Sequence, residues 1–182
     1  LLSPVGSYYS SGSGKPVRIW VEVQAWRAAP GGLGNTKAGA NYAASLKSAL
    51  EAKKKGYAQV LWLDTEKQGI EEVGTMNVFF VFKNEIVTPM LNGSILNGGV
   101  RDSVLKLLEH RGTPVKERRL TMAELVERYD KGELLEAFGT GTAAVISAVG
   151  ELQYKNKTMI INDNKIGTLS QDLLKTMGAI QR

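Results

Sequence analysis

Two short, nearly unbroken apolar runs constrain the fold of this chain more than any other feature. Residues 59–63 and 77–82 are five and six residues long, and neither alternates regularly with polar residues. Runs of this length and composition are typical of strands that are buried on both faces. Residues 17–23 alternate well enough to predict a further strand. The chain therefore predicts a sheet that is covered on both sides.

Helical patterns lie between and after these strands. Apolar residues recur at helical spacing over residues 43–50 and 100–108, and a glycine follows each pattern. Thr121 and Glu124 form a capping box, in which the threonine hydroxyl accepts from the amide of the third helical residue. Thr168 predicts the cap of a last helix in the same way. Strands mixed with helices in this order predict an α/β or α+β fold class.

Composition excludes several classes of protein and site. The 182 residues include no cysteine, which excludes a disulfide framework, a thiolate metal site and a cysteine nucleophile. The single histidine, His110, argues against histidine metal clusters and Ser/His/Asp triads, and we predict no metal site. No apolar run approaches the roughly 18 residues that span a bilayer. The net charge of +5 comes without interleaved basic and aromatic residues, so we expect neither a membrane nor a nucleic acid as partner.

Glycines are concentrated in three clusters. Ten of the 20 lie within residues 31–39, 93–99 and 139–150. Such turns let backbone amides approach a phosphate group, although ordinary tight turns have the same composition. Residues 96–101 run directly into a predicted helix, whose free N-terminal amides form a ready anion site. Residues 139–142 add two threonine hydroxyls before a strand.

Lys37 stands in the first of these clusters. The phosphate-binding loop of nucleotide-binding proteins does not match, because Thr36 precedes Lys37 and Ala38 follows it. A lysine among glycine and alanine residues suits a partly desolvated site, where a lowered pKa makes it a nucleophile, a base or a Schiff-base former. A surface lysine on a flexible loop is the alternative.

Two adjacent acids, Glu71 and Glu72, lie shortly before the apolar run at residues 77–82. Where a strand carries them, one side chain points inward and the other outward, so the inward one needs a cationic or protonated partner. An inward acid could hold a pyridine nitrogen in its protonated form. A strand-edge ion pair is the alternative.

Together these motifs resemble the branched-chain amino acid aminotransferases, which use pyridoxal phosphate and adopt the type IV fold. The resemblance covers almost the whole chain and follows the family's order. It implies the large domain of the type IV enzymes, a mixed-sheet pseudo-barrel flanked by helices. The matching positions are residues 31–46, 59–64, 72–77, 88–89, 138–143 and 180–181, together with Gly98, Arg101, Glu117 and Arg118.

The resemblance implies a role for each candidate residue. Lys37 would form the Schiff base and then move a proton between the substrate's α-carbon and the cofactor. Tyr42 would hydrogen-bond the cofactor's phenolic oxygen, and Glu72 would pair with its pyridinium nitrogen. The other roles are packing on the ring by Leu96, phosphate binding by Gly99, Val100 and Thr142, and substrate binding by Thr75, Met76, Thr142 and Ala143.

The resemblance also implies what accompanies this chain. Residues 1–16 correspond to an interdomain strand and loop region, residues 17–182 to the cofactor-binding large domain, and the family's amino-terminal domain is missing. The expected parent is a cytoplasmic homodimer that transaminates leucine, isoleucine and valine with 2-oxoglutarate. Branched-chain amino acids and 2-oxo acids are therefore the expected small-molecule partners.

Several positions depart from the family pattern. Asn97 stands where a proline is usual, and Gly99 replaces a β-branched residue and adds backbone freedom at the phosphate loop. Ala144 and Ser147 replace the Cys-x-x-Cys pair of animal members, which predicts a bacterial protein without thiol redox control. Two alternatives stay open: an isolated, non-catalytic fragment, or another type IV enzyme such as a D-amino acid transaminase or aminodeoxychorismate lyase.

Overall fold

The structure, a computed structural model, describes residues 15–142 and 145–180. Within these ranges the chain forms nine strands: β1 Val17–Val21, β2 Gln59–Leu63, β3 Ile70–Val73, β4 Met76–Phe82, β5 Ile86–Pro89, β6 Val115–Arg118, β7 Leu134–Thr140, β8 Ile146–Tyr154 and β9 Lys157–Ile160. The α-helices in the same ranges are α1 Gly39–Lys54, α2 Gly99–His110, α3 Met122–Asp130 and α4 Thr168–Ile180. None of these helices has both the length and the apolar character needed to cross a membrane.

Six of the strands close into a ring in the order β4, β3, β2, β1, β8, β7. The ring closes because β3 pairs with both β2 and β4. β1 runs parallel to β2 and to β8, whereas the other pairs in the ring are antiparallel. β5 and β6 extend the sheet beyond β4, and β9 pairs with β8. The prediction of a mixed-sheet pseudo-barrel flanked by helices is confirmed.

The apolar runs are buried on both faces, as their composition predicts. Val78 and Phe80 of β4 belong to a cluster to which all six ring strands contribute, so this cluster fills the ring. Phe79, between them, points to the opposite face and stacks on Phe138 with ring centroids 5.2 Å apart. That outer cluster also contains apolar residues of α2 and α4. Helices therefore cover the outer face of the strands that lead to the glycine turns.

Helix α1 packs with the face opposite to the one that its apolar residues predict. Leu46 and Leu50 are 57% and 49% exposed, although they carry the helical pattern. The buried positions are small or polar: Asn41, Ser45, Ser48 and Ala52. Small side chains let the helix approach the sheet closely, and Asn41 is needed for bonds to the preceding loop. The apolar pattern therefore predicts the helix correctly but does not identify the face that packs on the sheet.

Helix caps follow the sequence in one case and not in the other. The Thr121 hydroxyl accepts from the amide of Glu124 at 3.1 Å, as predicted, while the Glu124 carboxylate pairs with Arg118. At the start of α4 the amides of Leu169 and Ser170 donate to the carboxylate of Glu136, which comes from β7. The last helix begins where predicted, but a distant carboxylate caps it.

Candidate active site

A cavity of about 350 Å³ opens where α2 begins. A narrower recess beside it reaches Tyr42 and Glu72, and the two share Thr75 and Leu96 as wall residues. Loops and strand ends from four separate parts of the chain meet here. The cavity itself is lined by Lys37, Thr75, Asn77, Leu96, Asn97, Gly98, Gly99, Val100, Thr140, Gly141 and Thr142.

The loop that carries Lys37 is held from two sides. The side-chain amide of Asn41 donates to the carbonyls of Leu33 and Thr36 at 2.8 and 2.9 Å. Gly34 packs against the carbonyl oxygen of Ser94, which a Cβ at this position would overlap. These contacts place Lys37 on the cavity wall. Its side chain is exposed, so the expectation of a partly desolvated lysine is wrong for this chain, because the loop lies at the rim.

The two acids of β3 are both buried, at 2% exposure for Glu71 and 3% for Glu72. The expectation that one of them faces solvent is therefore wrong. The physical reason is that the chain around Asn92 and Ser94 covers the face of β3 that Glu71 occupies, and both residues donate to its carboxylate. Glu72 points the other way, into the recess.

Among the described residues, the Glu72 carboxylate has one cationic partner and one amide donor. The amide of Leu96 donates to Oε1 at 2.8 Å, and Nε of Arg27 lies 3.2 Å from Oε2. Burial raises the pKa of Glu72 to about 7, although the charge of Arg27 and the Leu96 amide oppose the rise. The neighbouring charge of Glu71 adds to it. A carboxylate of this kind gains most from a second cation in the recess.

The start of α2 is built as an anion site. Its first amides, including those of Gly99 and Val100, have no acceptor within the helix, and no side chain of the described residues caps them. Asn77 holds this turn: its amide donates to the carbonyl of Leu96 at 2.8 Å, and a Cβ on Gly98 would overlap its Oδ1. Leu96 is thus fixed through its amide by Glu72 and through its carbonyl by Asn77. The acid and the anion site are parts of one rigid unit.

Comparison with protein families decides the identity of this fold. A family model described as amino-transferase class IV matches residues 7–152, most of the chain. The chain belongs to the class IV aminotransferases.

Individual relatives show which class IV aminotransferases this chain is similar to. The chain is 54% identical over 183 residues to branched-chain-amino-acid aminotransferase 2 of Bacillus subtilis, and 50% identical over 182 residues to a probable branched-chain-amino-acid aminotransferase of Staphylococcus aureus. Each comparison covers 100% of this chain but only 50% and 51% of the relative. This class IV chain therefore spans about half the length of the curated relatives it matches.

Solved structures agree with the sequence comparison. The Escherichia coli branched-chain amino acid aminotransferase superposes with a TM-score of 0.78 at 28% identity, over 91% of this chain and 52% of that one. The branched-chain amino acid aminotransferase of Thermobaculum terrenum, solved in its PLP form, has a TM-score of 0.77 at 26% identity, over 92% and 51%. The resemblance to branched-chain aminotransferases is confirmed.

The residues present fit the cofactor that the class IV family implies. A phosphate needs amides without intrahelical acceptors, which the start of α2 supplies beside an open position: no atom of the described part of the chain lies within 4 Å of a Cβ placed on Gly99. A pyridine nitrogen needs a buried acid, which Glu72 supplies in the adjoining recess. Both features meet at Leu96, and Lys37 stands on the same cavity.

The other predicted site residues do not all lie on the cavity wall. Thr75 and Thr142 are exposed on the cavity wall, and Tyr42 is half-exposed at the recess. The side chain of Met76 is buried in the cluster that fills the ring and does not line the cavity. Ala143 lies outside the described residues.

Sequence reasoning missed Arg27, the cation that pairs with Glu72. It follows β1 in a segment without periodicity, 45 positions from its partner, so no local signal identifies it. Asn77 lies within the matching residues 72–77, but the resemblance implies no role for it. Its position in β4 directly opposite Glu72 in β3 is a property of the strand register.

Proposed function

We propose that this chain provides the cofactor-binding large domain, residues 17–182, of a branched-chain amino acid aminotransferase. Residues 1–16 would link it to the amino-terminal domain. The amino group would pass between leucine, isoleucine or valine and 2-oxoglutarate. One observation carries the proposal. The buried acid Glu72 accepts from the amide of Leu96, just before the N terminus of α2, beside a cavity that Lys37 lines.

Binding of the cofactor would use both ends of this unit. The amides of Gly99 and Val100, with the hydroxyl of Thr142, would hold the phosphate of pyridoxal phosphate. Glu72 would keep the ring nitrogen protonated, because an ionised, buried carboxylate is stabilised by an adjacent cation. Leu96 would pack on the ring and Tyr42 would donate to its phenolic oxygen.

The chemistry divides between the cofactor and Lys37. When bound, pyridoxal phosphate supplies an electron sink for the negative charge that develops on the substrate's α-carbon. Lys37 would bind the cofactor covalently and then accept and return the α-carbon proton, which requires its amine to be neutral for part of the cycle. Covering the exposed Lys37 would favour that neutral form. The family's amino-terminal domain is the proposed cover.

Substrate would bind beside the phosphate site. Amides of Thr142 and Ala143 would receive the substrate carboxylate, and Thr75 would contribute to the wall of the site. The names of the relatives support branched-chain amino acids and 2-oxo acids as substrates. We propose a cytoplasmic homodimer as the working form.

Borohydride reduction tests the proposal directly. The protein, incubated with pyridoxal phosphate and reduced, should carry one adduct at Lys37 by peptide mass spectrometry. Lys37→Ala should remove it, whereas Lys47→Ala, which removes an exposed lysine of α1, should not. Leucine, but not a D-amino acid, should then convert the bound cofactor to its amine form in a half-reaction.

Two outcomes contradict this reading. Label scattered over surface lysines, with none preferred at Lys37, would show that the chain has no competent cofactor site of its own. Conversion by a D-amino acid in place of leucine would assign another type IV activity.

A further inference from the structure

Three charged side chains are buried together behind the recess. Arg27, Glu71 and Glu72 are each at most 9% exposed. They comprise two acids and one base, so with both acids ionised the three side chains carry a net charge of −1, and the partly buried Lys67 acts electrostatically on Glu71. Burying an uncompensated charge is unfavourable, and a structure retains such a group only where its surroundings hold it in place. Glu72 belongs to the site already described, but Glu71 has no role in it.

Glu71 is joined to the chain that leads into the anion site. Its Oε1 accepts from the hydroxyl of Ser94 and from the side-chain amide of Asn92, the latter at 2.8 Å. Asn92 in turn accepts from the amide of Ser94 at 3.0 Å. Oε2 of Glu71 is buried and has no hydrogen-bond partner within residues 15–142 and 145–180. The carboxylate thus fastens Ser94, two residues before Leu96, to strand β3.

Ser94 connects Glu71 with Arg27. Its hydroxyl bonds to Glu71, while its carbonyl oxygen accepts from Nη2 of Arg27. The same Nη2 donates to the carbonyl of Gly34 at 3.0 Å, at the start of the Lys37 loop. Nε of Arg27 faces Glu72 at 3.2 Å. A continuous series of contacts therefore leads from Glu71 through Ser94 and Arg27 to Glu72.

From this geometry we infer that Glu71 is a positioning residue of the cofactor site, which acts through Ser94 to hold Arg27 and the chain before Leu96. The inference rests on the proposed function, because it concerns how Glu72 and Leu96 are presented to the cofactor. Glu71 itself does not touch the cofactor, since it lies on the opposite face of β3 from Glu72.

Charge gives Glu71 a second effect on the same site. With Glu71 ionised, the buried group lacks one positive charge, and a protonated ring nitrogen beside Glu72 would supply it. The charged groups that act on Glu72 are Arg27 from the segment after β1 and Glu71 beside it on β3, while Lys67 from the turn between β2 and β3 acts on Glu71. Tyr42 from α1 lines the same recess. Replacing Glu71 with glutamine removes the charge but keeps an acceptor for Ser94 and Asn92.

The test compares Glu71→Gln and Ser94→Ala with a matched control, Glu136→Gln. Glu136 is also a buried glutamate, but it caps α4 through backbone amides away from the cavity. Equilibrium dialysis against pyridoxal phosphate should show affinity about tenfold weaker for each of the two test variants, the cost of one buried polar group left poorly paired. Glu136→Gln should lower the Tm of the cofactor-free protein without changing the dissociation constant.

A double variant separates positioning from general loss of structure. Because Glu71→Gln weakens and Ser94→Ala removes the same hydrogen bond, the loss in the double variant should be smaller than the sum of the two single losses, whereas additive losses would overturn the connection through Ser94. The pH at which cofactor binding is half-maximal should fall in Glu71→Gln and stay unchanged in Glu136→Gln.

The outcomes distinguish the two proposals. If the unaltered protein does not bind the cofactor, the proposed function fails and this inference fails with it. If the unaltered protein binds and Glu71→Gln binds equally well at every pH, only the positioning role is overturned. Should Glu71→Gln not fold, Ser94→Ala alone decides, since it removes only the hydroxyl.

Discussion

Two glutamates of this domain, one buried and one only partly buried, have pKa values shifted in opposite directions. The side chains of Glu72 and Glu85 are 4% and 10% exposed. Burial raises the pKa of Glu72 to about 7, whereas at Glu85 the hydrogen bonds from Arg118, Lys116 and Arg128 outweigh burial and lower the pKa to about 2. The depth of burial and the number of cations around an acid together determine its charge.

The comparison indicates which acid is structural and which is available for chemistry. Glu85 is shared among three basic side chains that fasten β6 and α3 to the loop after β4. In the part of the chain that the structure describes, Glu72 pairs with one cation, Arg27, and accepts from one amide. The charge of an acid with several basic partners is already balanced within the fold. An acid with fewer basic partners is stabilised further when a cationic ligand binds beside it. Four predictions test this contrast.

Arg27→Met should have the largest effect. It leaves the Glu72 carboxylate and the carbonyls of Gly34 and Ser94 without their buried cation, and breaking such a group costs about 3–5 kcal/mol. Urea unfolding at pH 8 measures the loss. At pH 5.5, where Glu72 is protonated, the loss should be smaller. The control Arg111→Met removes a half-exposed arginine from an exposed pair and should cost less than about 1 kcal/mol; equal losses would contradict the contrast.

The pH dependence of stability should identify Glu72 next. Its pKa is raised from 4.5 to about 7 on folding, so its contribution to stability is fully present below pH 4.5 and is lost as the pH rises through 7. The loss amounts to about 3 kcal/mol in the cofactor-free protein. Glu72→Gln should flatten this part of the unfolding profile. An unchanged slope would mean that another group titrates there.

Glu85→Gln should change stability in the opposite pH range. The pKa of Glu85 is lowered from 4.5 to about 2, so its contribution is present above pH 4.5 and is lost as the pH falls through 2. Allowing for screening by solvent, we expect a loss of about 2 kcal/mol at pH 7 that disappears in acid. Thermal unfolding at pH 7 and pH 2.5 measures it, and a variant that is destabilised equally at both would refute the assignment.

Lys116→Met should have the smallest effect. Lys116 is 65% exposed, and Glu85 keeps Arg118 and Arg128 when it is removed. An exposed ion pair contributes less than about 1 kcal/mol. The midpoint of urea unfolding should therefore shift little. A loss as large as that of Arg27→Met would show that cation number does not distinguish the two acids.

The strength of local sequence signals explains which elements of the fold could be predicted. The strands β2 and β4 and the start of α2 carry local signals: unbroken apolar runs, and glycines directly before a helical pattern. β3 and β5 are four residues long, too short for a period to be recognised, and become strands because β4 pairs with both. The apolar pattern of α1 correctly predicted a helix but not its inward face, since packing on the sheet selected its small residues.

For the site, the sequence by itself determined which residue types are present and which neighbours they have along the chain. Lys37 lies between glycine turns, Glu72 begins the matching residues 72–77, and Gly99 begins a helix. Each of these features depends on neighbours within a few positions along the chain. Tertiary structure alone decided that Arg27 and Ser94 meet at the two acids of β3, and that both acids are buried. The physical reason is that these contacts join residues 23 to 67 positions apart, and only closure of the barrel brings them within hydrogen-bond distance.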